Sequence, residues 1–281
     1  NRGRIVFYKE NAMKKTAAPD EIMYHIGISK NQAGGAKYAL VPGDPGRVEG
    51  LALALDEHAR FLASHRDFTT WIAHINGHAV LVMSTGMGGP CVTFAVEELA
   101  RLGVTSFIRV GTTGSIQEDL NLGDIVINKG SVRKDGASLA YAPVEYPAVA
   151  DMKLTFALEK AAEELQIPYK TGISISTDSF WPGQERYDSF GGYVLKNLQG
   201  SLEEYRRLGC TNYEMENATL FTLASVLGLR AASLSGVVAK RTDGESVASH
   251  DIYEKAEHRF RQIVKKALAS LLSEKEKEII I

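Results

Sequence analysis

The sequence predicts an α/β fold, a single domain with a mixed, twisted sheet flanked by helices. From residue 38 to the end, short apolar runs rich in β-branched residues alternate with longer helical patterns. The chain shows no internal repeat, low-complexity tract or Pro/Ser-rich linker that would divide it. Its 281 residues, 44% of them hydrophobic, are enough to bury one large core.

The first 20 residues are predicted to lie outside this domain. They mix Lys, Glu, Asn and Ala without a clear apolar period, so we assign residues 1–20 to a tail or a cloning remnant and residues 21–281 to the domain. The opening residues lead to no long apolar segment typical of a secretory signal. No apolar run approaches the length of a membrane span, so no membrane association is expected.

Strands are predicted where apolar and β-branched residues run together between turn residues. They cover residues 38–41, 69–75, 79–84, 106–110, 124–128, 172–176 and 231–239. The second and third are joined by Asn76 and Gly77, a dipeptide that favours the two-residue hairpin turn. These two strands are therefore predicted to pair antiparallel.

Helices are predicted where apolar residues recur at the helical period. In residues 90–102, Val92, Ala95 and Leu99 fall on one face, as expected of a helix that buries one side. The same pattern covers residues 151–165, 216–227 and 251–272.

Charge and cysteine content narrow the classes of partner. The formal net charge of -2 gives no basic field to recruit nucleic acid or anionic lipid, so any phosphate must be held by a few placed arginines. The two cysteines, Cys91 and Cys210, lack metal-ligand spacing, which disfavours a disulfide scaffold or a zinc site. A reducing, cytoplasmic location is expected.

The segment FWPGQER at residues 180–186 carries the groups that a pyrimidine base needs. Gln184 offers a donor and an acceptor on one planar amide, and Arg186 adds a fork of donors, so the pair matches the O2, N3 and O4 edge of uracil. Phe180 is expected to stack on the base. The alternative is a solvated polar turn built on the Pro-Gly dipeptide at residues 182–183.

Further along, Glu216 in the sequence EME at residues 214–216 offers a carboxylate suited to the vicinal hydroxyls of ribose.

Two glycine-containing loops follow predicted strands and carry arginines. Residues 41–47 read VPGDPGR and place Gly43 and Arg47 beyond a strand, while residues 109–114 read RVGTTG and contribute Arg109 and Thr112. Ligands of open α/β sheets collect beyond the carboxyl ends of strands, so these groups are predicted to surround one dianion. For residues 41–47 taken alone, a tight strand-to-helix turn in which the prolines and glycines serve only geometry is the favoured interpretation.

Other phosphate-binding motifs are absent from the sequence. It contains neither a Walker A loop nor a dinucleotide-binding glycine fingerprint after a strand, which disfavours ATP, NAD and an oxidoreductase of the Rossmann type. The loop TGMGGP at residues 85–90 opens a predicted helix, whose N-terminus favours negative charge. Arg66 is a further anion-binding candidate, with a surface ion pair to Asp67 as the alternative.

Taken together, these residues resemble the uridine phosphorylases of the hexameric nucleoside phosphorylase superfamily over about residues 23–272. Six motifs agree with that family in order and spacing: VPGDP at 41–45, SHR at 64–66, STG at 84–86, RVGTTG at 109–114, FWPGQERY at 180–187 and NYEME at 212–216. The resemblance implies reversible phosphorolysis of uridine to uracil and ribose 1-phosphate.

The resemblance also implies a role for each site residue. The phosphate ligands would be Gly43, Arg47, Arg66, Arg109 and Thr112; the ribose ligands His25, Glu214, Met215 and Glu216; and the base-binding residues Phe180, Gln184, Arg186, Val238 and Arg241. Catalysis would rest on Arg109, Gln184, Arg186 and Glu216. His25 and Arg66 would act across a dimer interface, in a homohexamer built as a trimer of dimers.

No cofactor is expected beyond inorganic phosphate as co-substrate. Some bacterial relatives hold a potassium ion between subunits with a glutamate and a serine, where this chain has Asp67 and Cys91, near Met87. A shorter carboxylate and a soft sulfur bind a hard cation less well, so the sequence leaves open whether a potassium ion binds near these residues.

Two other functions compete with uridine phosphorolysis. One is a purine nucleoside phosphorylase or nucleosidase on the same fold, which would place an aspartate near the end of the last core strand; here residues 236–241 read GVVAKR, without a carboxylate. The other is a nucleoside-binding protein without turnover. Activity on thymidine or 2'-deoxyuridine depends on the shape of the pocket.

Overall fold

The computed structural model describes residues 15–242 and 244–273. Within them lie eleven strands: β1 (Tyr38–Val41), β2 (Arg60–His65), β3 (Phe68–Ile75), β4 (His78–Met83), β5 (Ser106–Ser115), β6 (Ile125–Lys134), β7 (Ala148–Val149), β8 (Tyr169–Thr177), β9 (Asn212–Glu214), β10 (Arg230–Lys240) and β11 (Ser246–Val247). The same residues form six α-helices: α1 (Val48–Leu55), α2 (Gly89–Leu102), α3 (Met152–Glu164), α4 (Ser201–Arg207), α5 (Asn217–Leu227) and α6 (His250–Ser273).

All eleven strands belong to one mixed sheet, with the order β11-β10-β6-β8-β9-β5-β1-β4-β3-β2 and β7 beside β6. Strands β4, β1, β5 and β10 pair in parallel, and so do β6, β8 and β9. The two parallel groups meet antiparallel where β10 pairs with β6 and β5 pairs with β9. Because β10 also pairs with β5, these five strands close into a ring.

Two hydrophobic cores lie on opposite faces of the sheet. Along β1, Ala39 belongs to the core formed with α2 and α5, while Leu40 belongs to the core formed with α1, α3 and α6. The same alternation recurs in β5, where Phe107 and Ile108 point to opposite cores. Successive side chains of a strand face opposite sides, so continuous apolar runs are what a sheet covered on both faces requires.

The predicted α/β architecture is confirmed, and every predicted strand and helix is present, with ends shifted by at most six residues. The hairpin is confirmed as well, because Ile75 lies opposite His78 and the two turn residues, Asn76 and Gly77, have φ of 52° and 79°. The prediction missed β2, β7, β9, β11, α1 and α4. Four of these are strands of two to six residues, and α4 has only seven residues.

The N-terminal residues 1–14 of the predicted tail lie outside the described residues. Residues 15–20 contact the domain, since Ala17 is buried and its amide donates to the carbonyl of Arg101 over 3.0 Å. In the described part of the chain, no helix is long and apolar enough to cross a membrane.

Candidate active site

A cavity of about 450 Å³ opens where the two parallel groups of strands meet. It is lined by residues from loops and strands far apart in sequence: Gly43, Asp44, Arg47, Met87, Arg109, Gly111, Thr112, Thr113, Gly114, Phe180, Gln184, Arg186, Tyr213, Glu214, Met215, Glu216, Val238, Ala239, Val247 and Tyr253. The predicted phosphate, ribose and base residues thus share one cavity, apart from His25, Arg66 and Arg241.

The loop after β1 approaches the loop after β4 closely. The amide of Gly86 donates to the carbonyl of Gly43 over 2.9 Å, and that of Thr85 donates to Pro42 over 2.9 Å. A Cβ atom on Gly43 would stand 3.2 Å from the carbonyl oxygen of Gly86 and 3.9 Å from the Arg109 guanidinium. Glycine therefore allows backbone and arginine to meet at this end of the cavity.

Two buried arginines, Arg47 and Arg109, line this end of the cavity. Arg47 and Arg109 are 9% and 6% exposed, and Nη2 of Arg47 and Nη1 of Arg109 have no hydrogen-bond partner in the described part of the chain. Buried donors without partners are costly, and an anionic ligand would satisfy both. This end of the cavity is therefore suited to a phosphate dianion.

Glu216 connects the arginine end to the middle of the cavity. Its carboxylate accepts hydrogen bonds from the Arg109 guanidinium and from the amide of Gly88, the latter over 2.8 Å. The residue lies immediately before α5 and is 3% exposed. It is placed beside the anion end, where a carboxylate can accept hydrogen bonds from sugar hydroxyls.

The Glu214 carboxylate accepts several hydrogen bonds close to Glu216. It accepts from the amides of Glu216 and Asn217 over 2.7 and 2.6 Å, and from the hydroxyls of Ser174 and Ser176. Burial, followed by the nearby charge of Glu216, raises the pKa of Glu214. Glu214 therefore also fixes the backbone that carries Glu216.

The opposite end of the cavity is built by a single 3-10 turn, Pro182–Gln184. Gln184 lines the cavity and is 3% exposed, and Arg241 donates to its backbone carbonyl. Glu185 follows with φ of 55°, and its carboxylate accepts from the amide of Leu202 over 2.7 Å. The turn is thus fastened on both sides.

Arg186 reaches the same end and is held by two contacts. Its guanidinium donates to Glu245 and lies 4.3 Å from the centre of the Phe180 ring. Its Nε is buried without a partner among the described residues. Burial and then the charge of Arg241 lower the pKa of Arg186, while Glu245 opposes this shift. In this structure Phe180, predicted to stack on the base, stacks on Arg186 and is 43% exposed.

Val238 enters the cavity because of an irregularity in β10. Val237 pairs with Thr113 and Ala239 with Gly114, so Val238 is an extra residue between them. Such bulges turn a side chain out of the regular alternation. Arg241, just beyond, does not line the cavity; its Nε donates to Glu245 over 2.8 Å and it supports the turn at Gln184.

His25 and Arg66 lie outside the cavity of their own chain. His25 Nδ1 is 2.6 Å from Glu98, and the ring stacks on Phe94 at 4.2 Å. Arg66, with φ of 56°, lies over the ring of the exposed Tyr24 at 5.4 Å. The structure therefore brings the two residues near each other through the segment around Tyr24, and not to the other phosphate and ribose residues.

The residues considered for a monovalent cation fit such an ion poorly. Asp67 and Cys91 both lie beside Gly86, and burial, Asp67 and Glu216 raise the pKa of the Cys91 thiol, which keeps it neutral. A neutral thiol is a poor ligand for a hard cation. Within residues 15–242 and 244–273, no group of three or more His, Cys, Asp or Glu side chains is placed to hold a metal ion.

Sequence reasoning missed three residues around the site. Glu245 pairs with both Arg186 and Arg241, Glu257 pairs with Arg47, and Tyr253 lines the cavity. The two carboxylates are 59 and 210 residues from Arg186 and Arg47, respectively. Only the helical spacing of Tyr253 and Glu257, four residues apart, was visible in the sequence.

Comparison with known proteins shows to which family the chain belongs. The phosphorylase superfamily matches residues 37–269 of this chain. The chain is 47% identical to the uridine phosphorylase of Escherichia coli (strain K12) over 87% of this chain and 96% of that protein. It is 46% identical to the uridine phosphorylase of Haemophilus influenzae over 89% of this chain and 99% of that protein. It is 45% identical to the uridine phosphorylase of Thermococcus kodakarensis, over 80% of this chain and 79% of that protein.

Proposed function

The chain belongs to the phosphorylase superfamily, and on that premise we propose that it catalyses the reversible phosphorolysis of uridine to uracil and ribose 1-phosphate. The observation that carries this function is one cavity with an arginine pair at one end and an amide and arginine at the other. Phosphate and a pyrimidine are the ligands that these two ends recognise. The enzyme is thus a uridine phosphorylase.

At the arginine end, phosphate is the nucleophile. An oxygen of HPO₄²⁻ forms a bond to C1' of uridine as the C1'–N1 bond breaks, and the hydrogen of the phosphate ends on uracil. Arg47 and Arg109 hold the dianion beneath the sugar through donors that are otherwise unpaired in the described residues, with Gly43 and Thr112 beside them. Holding both reactants together supplies proximity.

At the other end, the site stabilises the leaving base. Negative charge develops on the O2, N3 and O4 edge of uracil as the glycosidic bond lengthens, and Gln184 and Arg186 are the donors assigned to it. Phe180 and Val238 form the apolar walls for the ring. Arg241 acts through the turn that carries Gln184.

The ribose lies between the two ends in this proposal. Glu216 accepts hydrogen bonds from ribose hydroxyls, and Met215 and Glu214 complete that part of the wall. Because Glu216 also pairs with Arg109, the sugar and the anion are positioned by one connected group of side chains.

A purine substrate is not favoured by the residues at the base end. The end of β10 and the residue after it, which read VVAKR over 237–241, contribute Val238 and Ala239 to the cavity and no carboxylic acid to protonate a purine. The proposed reaction uses no organic cofactor and no metal ion, since phosphate is itself the nucleophile and the charges are met by arginines.

We infer that the protein acts as a homo-oligomer, a hexamer formed as a trimer of dimers, in which His25 and Arg66 complete the partner's site. Neither residue lines the cavity of its own chain, and the neighbouring Tyr24 is 71% exposed. Large exposed apolar side chains elsewhere, such as Met152 and Phe156, support association. A cytosolic location also remains a prediction, supported by the free thiols of Cys91 and Cys210.

An ultraviolet assay of base release tests the function. Uridine with phosphate should release uracil rapidly, uridine without phosphate should release none, and inosine should be a poor substrate under both conditions. Thymidine in the same assay measures tolerance for a 5-methyl group and a missing 2'-hydroxyl. Uracil release that is independent of phosphate would indicate a hydrolase, and tight uridine binding without any release would indicate a binding protein.

A further inference from the structure

The helix α6 passes along the phosphate end of the cavity and presents two side chains there that the mechanism above leaves unused. Tyr253 lines the cavity together with Arg47 and Arg109. Glu257, one helical turn later, accepts a hydrogen bond from Nε of Arg47 over 2.6 Å. Residues four apart share one face of a helix, so both side chains face the anion end.

Glu257 holds Arg47 in a single orientation. Its Oε1 atom pairs with Arg47 and its Oε2 atom with Arg261, and its side chain is 13% exposed. The Arg47 guanidinium also lies 4.9 Å from the centre of the Phe260 ring and donates to the carbonyl of Val110 over 3.4 Å. These contacts use Nε and Nη1 and leave the buried Nη2 without a partner among the described residues.

We propose that Tyr253 is a further phosphate ligand and that Glu257 is a positioning residue that aims Arg47 at the same anion; this proposal rests on the proposed function. The charges of Glu257, Arg47 and Asp44 all act on the Tyr253 hydroxyl. Glu257 already accepts from two arginines, so the hydroxyl can rotate its hydrogen toward a bound phosphate without leaving that carboxylate unpaired.

The charges around the hydroxyl favour a donor role. Burial raises the pKa of Tyr253, and Glu257 and Asp44 raise it further, against the opposing effect of Arg47. Tyr253 therefore stays protonated at neutral pH and can donate. The Asp44 carboxylate itself accepts from the amide of Gly46 over 2.8 Å within its own turn.

Steady-state kinetics with inorganic phosphate as the varied substrate test the proposal. Tyr253→Phe should raise KM for phosphate about tenfold, because one hydrogen bond to an anion is lost, and should leave KM for uridine within about twofold. Glu257→Gln should raise KM for phosphate similarly, since Arg47 loses its charged partner. The double variant should fall short of the product of the two effects, because both act on one anion.

Matched controls separate this role from general effects. Tyr169→Phe removes a tyrosine hydroxyl that donates to a glutamate over 2.9 Å, and Glu203→Gln alters another carboxylate that bridges two arginines; neither residue lines the cavity. Neither should change KM for phosphate. A merely structural role for Tyr253 or Glu257 would lower the melting temperature and change both KM values together.

Calorimetric titration of inorganic phosphate, without uridine, distinguishes a failure of the ligand role of Tyr253 from a failure of the proposed function. Weaker phosphate binding by Tyr253→Phe in a protein that never releases uracil would support the ligand role and overturn the proposed function. Normal uracil release with an unchanged phosphate KM and phosphate affinity in Tyr253→Phe would overturn the ligand role and leave the function intact.

Discussion

Arg186 is held by a carboxylate on one side and an aromatic ring on the other. Glu245 takes one of its terminal nitrogens and Phe180 covers its face, while the buried Nε has no partner among the described residues. A donor set in place in advance needs no reorganisation as charge develops on the leaving group. Arg186 should therefore contribute mainly to the rate and little to the stability of the fold.

The variant Arg186→Ala tests this assignment. We expect kcat/KM for uridine to fall at least about a hundredfold, in keeping with roughly 3 kcal/mol of lost transition-state stabilisation. The protein should stay folded, because Glu245 keeps Arg241 as its partner. Arg186→Lys should recover only part of the loss, since an ammonium lacks the planar fork of donors.

The control is Arg207→Ala, which removes an arginine that is 79% exposed and paired with Glu203 on the surface. It should leave turnover unchanged. Near-normal turnover of uridine by Arg186→Ala would remove Arg186 from the base site.

The sequence predicted most of the cavity at the scale of single residues, and the physical reason is local. Gly43 and Arg47 follow β1, whose last residue, Val41, lies opposite Arg109 in the parallel strand β5, so the three residues reach the same cavity. Glu245 and Glu257 could not be predicted, because the partner chosen by an arginine depends on packing between distant segments. The role of Arg241 could not be predicted for the same reason. It contacts the base end of the cavity, but it supports the turn that carries Gln184 and does not line the cavity itself.

At the scale of elements, the site depends on the close approach of α2 and α5. Gly89, the first residue of α2, packs so tightly that an added Cβ atom would stand 2.4 Å from the Thr219 hydroxyl and 2.8 Å from the Ala137 Cβ. The preceding residue, Gly88, donates its amide to Glu216. A displacement of α2 would therefore move the Gly88 amide, which is hydrogen-bonded to the carboxylate of Glu216, the residue assigned to ribose.

Gly89→Ala should destabilise the fold and weaken uridine binding together. Overpacking of this kind typically costs about 1–3 kcal/mol, so the thermal midpoint should fall by several degrees. Circular dichroism melting gives the midpoint, and initial rates give KM for uridine.

Gly191→Ala is the matched control, since no atom of the described residues lies within 4 Å of an added Cβ atom there and the backbone is not left-handed. Equal melting curves for the two variants would show that α2 can shift without strain and would contradict the role given to this contact.

The elements that the sequence predicted are those with a strong local period. The hairpin at Asn76 and the long helices α2 and α6 carry such patterns. Strand β9 has only three residues, and β2 is largely exposed, so neither shows an apolar alternation. Closure of the ring of strands could not be predicted from the sequence either, because the pairing between β5 and β10 joins segments more than 100 residues apart.

At the scale of the whole molecule, the unit of function is expected to be larger than one chain. The cavity gathers phosphate, ribose and base residues from this chain, but Arg66 and His25 remain beside Tyr24 on an exposed surface. If a partner chain lends these two residues, then each site contains side chains from two copies. In a two-fold symmetric pair the exchange is reciprocal.

Subunit complementation tests this arrangement. Arg66→Ala damages only what a chain lends to its partner, whereas Arg186→Ala damages only its own base site. Each variant alone should be nearly inactive. When the two variants are co-expressed in equal amounts, half of the pairs should be mixed, and each mixed pair should contain one intact site of two. The mixture should therefore recover about a quarter of wild-type turnover. Full activity of Arg66→Ala alone, or a mixture no more active than its components, would contradict shared sites.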